Sequence, residues 1–386
     1  MKIGFVSNVD LHDPFQFERA FSGIYASMAR AFERAGRPLT LIAPVGRGVV
    51  GEAVYFGGKA VRRLTRGRID FRGEFSPIVL RRTGRRAATF AEDAGVDVVL
   101  GSSTTVLSHF KGKLPFYLWR DANFFDLVNS YGEYHGMSST SIGRAREQDV
   151  RAMTYARHCF FSSRCSVESA ASLGGIPSHK LEVAPFGANL PETPSAAEVE
   201  RFIAERPRDS YKLLMIGIDL KRKGGDTAFA ACRELKKRGV SFRLDVLGGN
   251  IAVPSDIAEN VRMHGFVDKR KPADWRKFFG LVGGSHLLLH PARAEAFGCA
   301  LVEAAAFGVP TIGSAVGGLP TIVETGVTGE LLPPDATPID YADRIESTLA
   351  NRERYEAMAS AAHRATVTRL NWDVSVAAVL DRIGAS

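Results

Sequence analysis

Cysteine is scarce: Cys159, Cys165, Cys232 and Cys299 are the only four in 386 residues. None forms a Cys-x-x-Cys pair and no histidine spacing completes a zinc site, so neither a disulfide framework nor structural zinc is indicated. Free thiols in a reducing cytosol are the expectation. No stretch approaches the roughly 18 apolar residues that a membrane span requires. Met1-Lys2-Ile3-Gly4-Phe5-Val6 reads as a first strand, not a secretory leader. The first strand is not followed by the glycine signature of common nucleotide enzymes. Ser7-Asn8-Val9-Asp10 follows the first strand where a dinucleotide-binding chain carries Gly-x-Gly-x-x-Gly. There is no Gly-x-x-x-x-Gly-Lys-Ser/Thr phosphate loop and no Gly-x-Ser-x-Gly elbow, so NTPase and α/β-hydrolase readings lose their usual support.

With 45% hydrophobic and 24% charged residues the composition is that of an ordinary globular chain, and the length favours two domains over one core. The net charge of +8 has a location. Ten basic residues (Lys59, Arg62, Arg63, Arg66, Arg68, Arg72, Arg81, Arg82, Arg85 and Arg86) face only Asp70 and Glu74, while the rest of the chain is balanced. Such a field attracts an anionic membrane surface or an anionic acceptor, unless it is only a solvated face. Nucleic acid is not expected, because no nucleic-acid-binding motif accompanies the charge.

Strand-like apolar runs alternate with helical patterns throughout. The first half has runs near residues 2–6, 39–43, 96–101, 116–119, 158–162 and 181–184. The second has runs near 212–216, 243–247, 261–264, 287–290, 310–313 and 329–332. Residues 21–35 carry apolar positions at helical spacing and end at Gly36. This alternation predicts an α/β chain with parallel sheets covered on both faces, built twice over. A proline-rich opening at Pro191 and Pro194, a polar helix and Pro207 place the boundary near 189–210. The expected domains are 1–190, joined by a terminal helix at 373–386, and 205–372. Ligands of doubly wound sheets bind beyond the carboxyl ends of the strands, which directs attention to the cleft between two such domains.

One segment stands out at such a strand end. Glu295 and Glu303 lie eight positions apart. Glu295 follows the strand ending at His290-Pro291; Phe297-Gly298 makes a tight connection, and a helix starts near Ala300. The first helical amides, from Gly298 to Leu301, are free donors in this reading and suit a phosphate. Each carboxylate suits the paired hydroxyls of a sugar or ribose. A loop acid and a half-exposed helix acid remain the plain alternative.

The run His290-Pro291-Ala292-Arg293-Ala294-Glu295-Ala296-Phe297-Gly298 through Glu303-Ala304, then Gly308-Val309-Pro310 and Gly317-Gly318-Leu319-Pro320, resembles glycosyltransferase family 4 (the group 1 glycosyltransferases). The resemblance implies the GT-B fold: two Rossmann-like domains facing each other across a cleft, with the C-terminal helix crossing back to the N-terminal domain after Asn371-Trp372-Asp373. It implies that Glu303 binds the nucleotide ribose and that Glu295 lies by the donor sugar. Ala296, Phe297, Gly298, Cys299, Ala300 and Leu301 line sugar and phosphate. Lys223 of Lys223-Gly224 grips the diphosphate. Ile218 stands where the family's partner arginine is usual, leaving Arg222 as its candidate substitute. His264, Gly265 and Phe266 match the region that contacts the base. Ser22-Gly23 matches, in part, a glycine-rich loop at the first helix. Asp121 stands where many members have a histidine by the donor sugar; its plain alternative is a strand-end cap. The candidate catalytic set is thus Asp121, Lys223 and Glu295.

By the same resemblance the chain is expected to be a retaining, metal-independent enzyme; its free thiols suit the cytoplasm, and residues 59–86 would set it on the inner membrane face unless they are only a solvated face. It needs no cofactor, and no Asp-x-Asp motif is present. Its donor is a nucleotide sugar (UDP favoured, GDP or ADP the alternatives), and its acceptor a glycan or lipid-linked hydroxyl in bacterial surface polysaccharide or glycolipid synthesis. A non-catalytic nucleotide-binding protein and a nucleotide-sugar epimerase of the same fold stay open as alternatives.

Overall fold

The computed structural model describes the chain except for residues 14, 15, 17, 19–22, 43, 44, 47, 67–69, 129 and 386 and the side chain of 133. Ser22 and Arg68 therefore lie outside the described residues. The chain forms two units, Met1–Phe186 with Trp372–Ser386, and Gly187–Asn371.

The first unit is built on a parallel sheet in the order β2-β1-β3-β4-β5-β6. Its strands are β1 (Ile3–Val6), β2 (Leu39–Leu41), β3 (Val98–Gly101), β4 (Phe116–Arg120), β5 (Cys159–Phe161) and β6 (Leu181–Val183). The sequences Ile-Gly-Phe-Val and Val-Val-Leu-Gly do not alternate, and every residue of β1 and β3 is buried. Continuous apolar strands of this kind belong in a sheet covered on both faces. The cover is α1 (Ile24–Arg34), α2 (Gly48–Leu64), α3 (Pro77–Asp93), α4 (Thr104–Leu107), α5 (Phe124–Leu127), α6 (Ser139–Tyr155) and α7 (Arg164–Ser172). Local signals start several of them: Pro77 opens α3, Asn123 and Asp126 form a capping box on α5, and Ser138 and Ser163 cap α6 and α7.

The second unit repeats the plan, with strand order β12-β11-β10-β7-β8-β9. Its strands are β7 (Tyr211–Gly217), β8 (Phe242–Gly248), β9 (Val261–Gly265), β10 (Leu287–His290), β11 (Thr311–Ser314) and β12 (Gly329–Leu332). Its helices are α8 (Ala196–Glu205), α9 (Gly225–Lys237), α10 (Pro272–Gly283), α11 (Cys299–Ala306), α12 (Leu319–Ile322), α13 (Pro338–Ala350) and α14 (Arg352–Thr368). Leu213, Met215, Leu244, Val246, Leu287, Leu289 and Ile312 from the central strands form its core.

Residues 189–210 are part of this second unit. Helix α8, capped by Ser195 and Glu198, packs on α14 through Val199 and Ile203. Arg206 just beyond it is 2% exposed. Its guanidinium donates to the carbonyls of Phe307 (2.9 Å) and Gly308 (2.7 Å) and to the Tyr355 hydroxyl (2.7 Å). Burial holds its pKa below the usual arginine value, with Tyr355 acting in the opposite sense.

The last helix, α15 (Trp372–Gly384), belongs to the first unit and packs on α1. Trp372 stacks on Phe186 at 5.2 Å and meets Trp119 edge-on at 5.7 Å. The Trp119 indole N–H donates to the Ala184 carbonyl at 3.0 Å, so the polar end of the cluster is satisfied as well.

Candidate functional site

In the second sheet β7 pairs with β8 on one side and β10 on the other. The gap between β7 and β10 is thus a topological switch point, where a crevice opens beyond the carboxyl ends. The loops that follow these two strands carry Lys223 and Glu295. Gly224 brings the loops together: its φ is +75°, and a Cβ there would lie 1.9 Å from the Pro291 carbonyl oxygen. Only glycine fits both demands. Arg293 ties the same loops from outside, its N–H to the Arg222 carbonyl (2.9 Å) and its guanidinium to Asp226 (2.6 Å).

One oxygen of Glu295, Oε2, collects three donors. Lys223 Nζ lies 2.6 Å away, His290 Nε2 3.2 Å and Arg222 Nη1 3.5 Å. Arg222 also donates to the Ala294 carbonyl at 2.6 Å. Burial pushes the Glu295 carboxyl up. Lys223, the His290 hydrogen bond and Arg222 outweigh it and hold the group well below the usual carboxylate range. Burial, and then Lys223, lower His290 and keep it neutral. The network assigns its proton to Nε2, facing the carboxylate. Its Nδ1 is buried with no hydrogen-bond partner among the described residues. Glu295 Oε1 also takes no partner among the described residues, so one carboxylate oxygen is anchored and the other is open to a ligand.

A folded-state pKa below the unfolded one stabilises the native state above the unfolded value, and the contribution disappears as pH falls through the folded value. The stability difference between wild type and Glu295→Gln should be full at pH 7 and shrink as pH is lowered from about 4.3, the unperturbed glutamate value, toward acid. Urea unfolding across that range checks it; a difference independent of pH would contradict the anchored carboxylate.

Gly298, at φ +109°, is the N-cap of α11. The run of free amides expected here is shorter than the sequence suggested. The Leu301 N–H bonds back to the Gly298 carbonyl at 2.9 Å, because the helix begins with a tight turn. The Ala300 N–H keeps no partner among the described residues. Glu303 on α11 is 4% exposed rather than half-exposed, and its Oε1 accepts from Lys269. Lys269 also donates to the Asn189 carbonyl at 2.8 Å and lies over the Phe278 ring. Glu303 Oε2 takes no partner among the described residues, so this second carboxylate is likewise held by one oxygen.

At the end of β9, His264 pairs with Asp245 at 2.7 Å, and Asp245 is held in turn by Arg243 at 2.8 Å. Gly265 turns the chain at φ +70° and leaves Phe266 61% exposed. Gly317 and Gly318 back the Glu295 loop. The Gly318 N–H donates to the Glu295 carbonyl at 3.1 Å, and a Cβ on Gly317 would come within 1.9 Å of that oxygen.

The structure therefore assembles Arg222, Lys223 and Glu295 in one cluster, with Ala296 through Leu301 continuing directly from it to Glu303. Gly23 and Asp121 belong to the first unit. Gly23 is the left-handed N-cap of α1, at φ 86°. Asp121 follows β4 and accepts from the Ala122 N–H at 2.9 Å, as a strand-end cap does. Sequence reasoning gave no role to His290 or Lys269. The signal for Lys269 was an acid inside the apolar run Ala300-Leu301-Val302-Glu303-Ala304, which requires a counter-charge when buried. Among the described residues no group of His, Cys, Asp and Glu could hold a metal ion, and no helix is long and apolar enough to cross a membrane.

These features agree with what comparison finds. Residues 197–365, which lie in the second unit, match the family model for glycosyl transferases group 1. The fold is GT-B, shared with solved structures of low identity. A sucrose-phosphate synthase from Thermosynechococcus elongatus superposes with TM-score 0.71 at 16% identity, over 100% of both chains. A glycosyltransferase from Rickettsia africae gives 0.67 at 16%, over 98% of this chain and 96% of its own. HepE from Anabaena, in complex with UDP, gives 0.63 at 16%, over 100% of both. A search of curated proteins by sequence finds no match.

Proposed function

We propose that this protein is a retaining, metal-independent hexosyltransferase of family 4 that moves a sugar from a nucleoside-diphosphate sugar, UDP favoured, to a hydroxyl of a glycan or lipid-linked acceptor. The observation that carries the reading is the Glu295 carboxylate at the switch point, ionised and anchored by Lys223, His290 and Arg222 through one oxygen only. Its open oxygen accepts from sugar hydroxyls. Lys223, whose ammonium has three protons and gives one to Glu295, has donors left for a diphosphate, and Arg222 and the Ala300 N–H are assigned to the same group. Glu303 offers its open oxygen to the ribose, and the chain at His264, Gly265 and Phe266 borders the base.

In the reaction the bond from the anomeric carbon to the diphosphate oxygen breaks, and the bond to the acceptor oxygen forms on the same face. The acceptor proton passes to the departing phosphate oxygen. The protein's part is electrostatic: fixed donors meet the charge that grows on the diphosphate, and positioning of the acceptor supplies the rest. Ser22, Gly23 and Asp121 are assigned to the donor side of the first unit, Asp121 in place of the family's histidine. Proton NMR of the product, showing the donor's anomeric configuration, tests retention.

Glu303→Gln should weaken UDP binding about 10-fold or more, the usual scale for a hydrogen bond to a charged group. Calorimetric titration reads this directly, and an unchanged affinity would remove Glu303 from the ribose role.

Complexes of HepE with UDP-glucose support the donor class, and the neighbour WaaG, a glycosyltransferase of lipopolysaccharide biosynthesis, supports an envelope acceptor. We assign the protein to the cytoplasmic face of the membrane through α2. Phe56 is 60% and Leu64 83% exposed there, next to Lys59, Arg62 and Arg63. Apolar side chains flanked by cations suit an anionic interface. Cosedimentation with anionic vesicles should be strong at low salt and weak at about 0.5 M, where the Debye length is a few Å. No binding at low salt would exclude the membrane role. The exposed Ile218 and the capped Asp121 favour a second reading, a nucleotide sensor without turnover.

A further inference from the structure

A second site lies wholly within the first unit. Helices α3 and α6 and the chain at His109 and Lys111 enclose a cavity of about 370 Å³. That is room for a hexose-sized molecule carrying a phosphate, within the usual range of small-ligand sites. Cations line it: Arg81 and Arg85 from α3, Lys111 from the loop, Arg144 and Arg151 from α6. Glu147 is the one carboxylate among its lining residues.

These cations are not neutralised from within. Arg81, Arg85 and Lys111 form no ion pair among the described residues. The Arg151 Nε–H is spent on the Ser108 carbonyl at 2.9 Å and Arg144 lies over the Phe71 ring, contacts that orient a guanidinium without removing its charge. The concave wall thus holds an uncompensated positive field, and a low-dielectric wall concentrates it. His109 registers that field. Burial lowers its pKa first, and Arg151, Arg81 and Lys111 lower it further against Glu147 alone.

Gln148 adds a different requirement. It is 4% exposed and lines the same cavity. The Thr104 hydroxyl donates to Asp149 at 2.8 Å, so it can only accept from Gln148 Nε2, at 3.1 Å. This fixes the amide orientation and leaves Gln148 Oε1 buried with no partner. A buried acceptor left without a donor is destabilising until a donor arrives. An inorganic anion satisfies the arginines only. A ligand with both an anionic group and hydroxyls satisfies the arginines and the glutamine.

We propose that this cavity is a binding site for a phosphorylated, hydroxyl-bearing small molecule of the sugar-phosphate class. The site stands on the first unit alone and does not depend on the donor-site reading. The test is calorimetry on the full chain with glucose 6-phosphate as probe, in the presence of saturating UDP, with glucose and inorganic phosphate as comparisons. Wild type should bind glucose 6-phosphate saturably and more tightly than inorganic phosphate, and glucose not measurably. The double variant Arg81→Gln/Arg85→Gln, changed only at exposed positions of α3, should lose at least 10-fold in affinity, while its UDP titration stays as in wild type. Absence of saturable binding by wild type, or equal affinity in the double variant, would overturn the site. Equal affinities for phosphate and its sugar ester would overturn the assignment to the sugar-phosphate class. If the double variant misfolds, Lys111→Gln in the loop replaces it with the same expectation.

Discussion

Turnover is expected to fall by roughly 100-fold or more when Lys223 is replaced by alanine, the typical loss when a preorganised donor to developing charge is removed. The placement of Lys223 is specific. Its aliphatic stem passes over Gly217, where a Cβ would come 2.2 Å from its Cδ, and its ammonium reaches Glu295 at 2.6 Å. At 9% exposure the cation acts in a medium that screens it little. Removing it takes the main counter-charge from Glu295 and, in the proposed role, a donor from the diphosphate. The loss should therefore appear chiefly in kcat, since charge on the diphosphate grows as the bond breaks. Glu295→Gln in the same background should add less than it does alone, because the two residues form one unit. Steady-state assays of the four proteins in that cycle check this, and near wild-type turnover in Lys223→Ala would remove the diphosphate role.

The second large effect is on stability. Arg206→Ala should cost the second unit about 2–5 kcal/mol, since each buried acceptor left without its donor costs about 1–3 kcal/mol. The carbonyls of Phe307 and Gly308 and the Tyr355 hydroxyl lose their shared donor, and a cavity replaces the guanidinium. Lysine should not rescue the variant, since one ammonium cannot span acceptors arranged around a planar fork. Urea unfolding measures the change, and a loss under about 1 kcal/mol would contradict the account. The position matters for function too. Phe307 and Gly308 terminate α11, whose body carries Glu303, so loosening Arg206 should also weaken UDP binding in protein that remains folded.

The architecture was legible because parallel strands covered on both faces read as uninterrupted apolar runs. Leu287–His290 and Val98–Gly101 are examples, each buried throughout. Glu295 stood out because it follows such a strand beside a glycine turn, and its role was legible only through the family resemblance of the run around it. What could not be read were partners brought in by folding. His290 looks like the last residue of a strand until the chain turns its ring onto Glu295. Lys269 sits in Lys269-Arg270-Lys271, which resembles a solvated run, yet it pairs with Glu303 34 residues away. Arg206 lies inside the segment 189–210 expected to hold the domain boundary, yet it is a core arginine. The basic segment divides by local geometry: Arg72 pairs with Asp70 at 3.0 Å, while Arg81 and Arg85 project from α3 into a cavity. No spacing rule in the sequence separates those two fates.

The central claim is that the anchored carboxylates and Lys223 make a nucleotide-sugar enzyme. Incubating the full chain with UDP-, GDP- and ADP-sugars and following nucleoside diphosphate release tests it most directly. The account predicts slow release from one donor class by wild type without acceptor, and release at least 100-fold slower in Lys223→Ala. Binding of these donors with no release from any of them would contradict it and leave a nucleotide sensor on a glycosyltransferase fold.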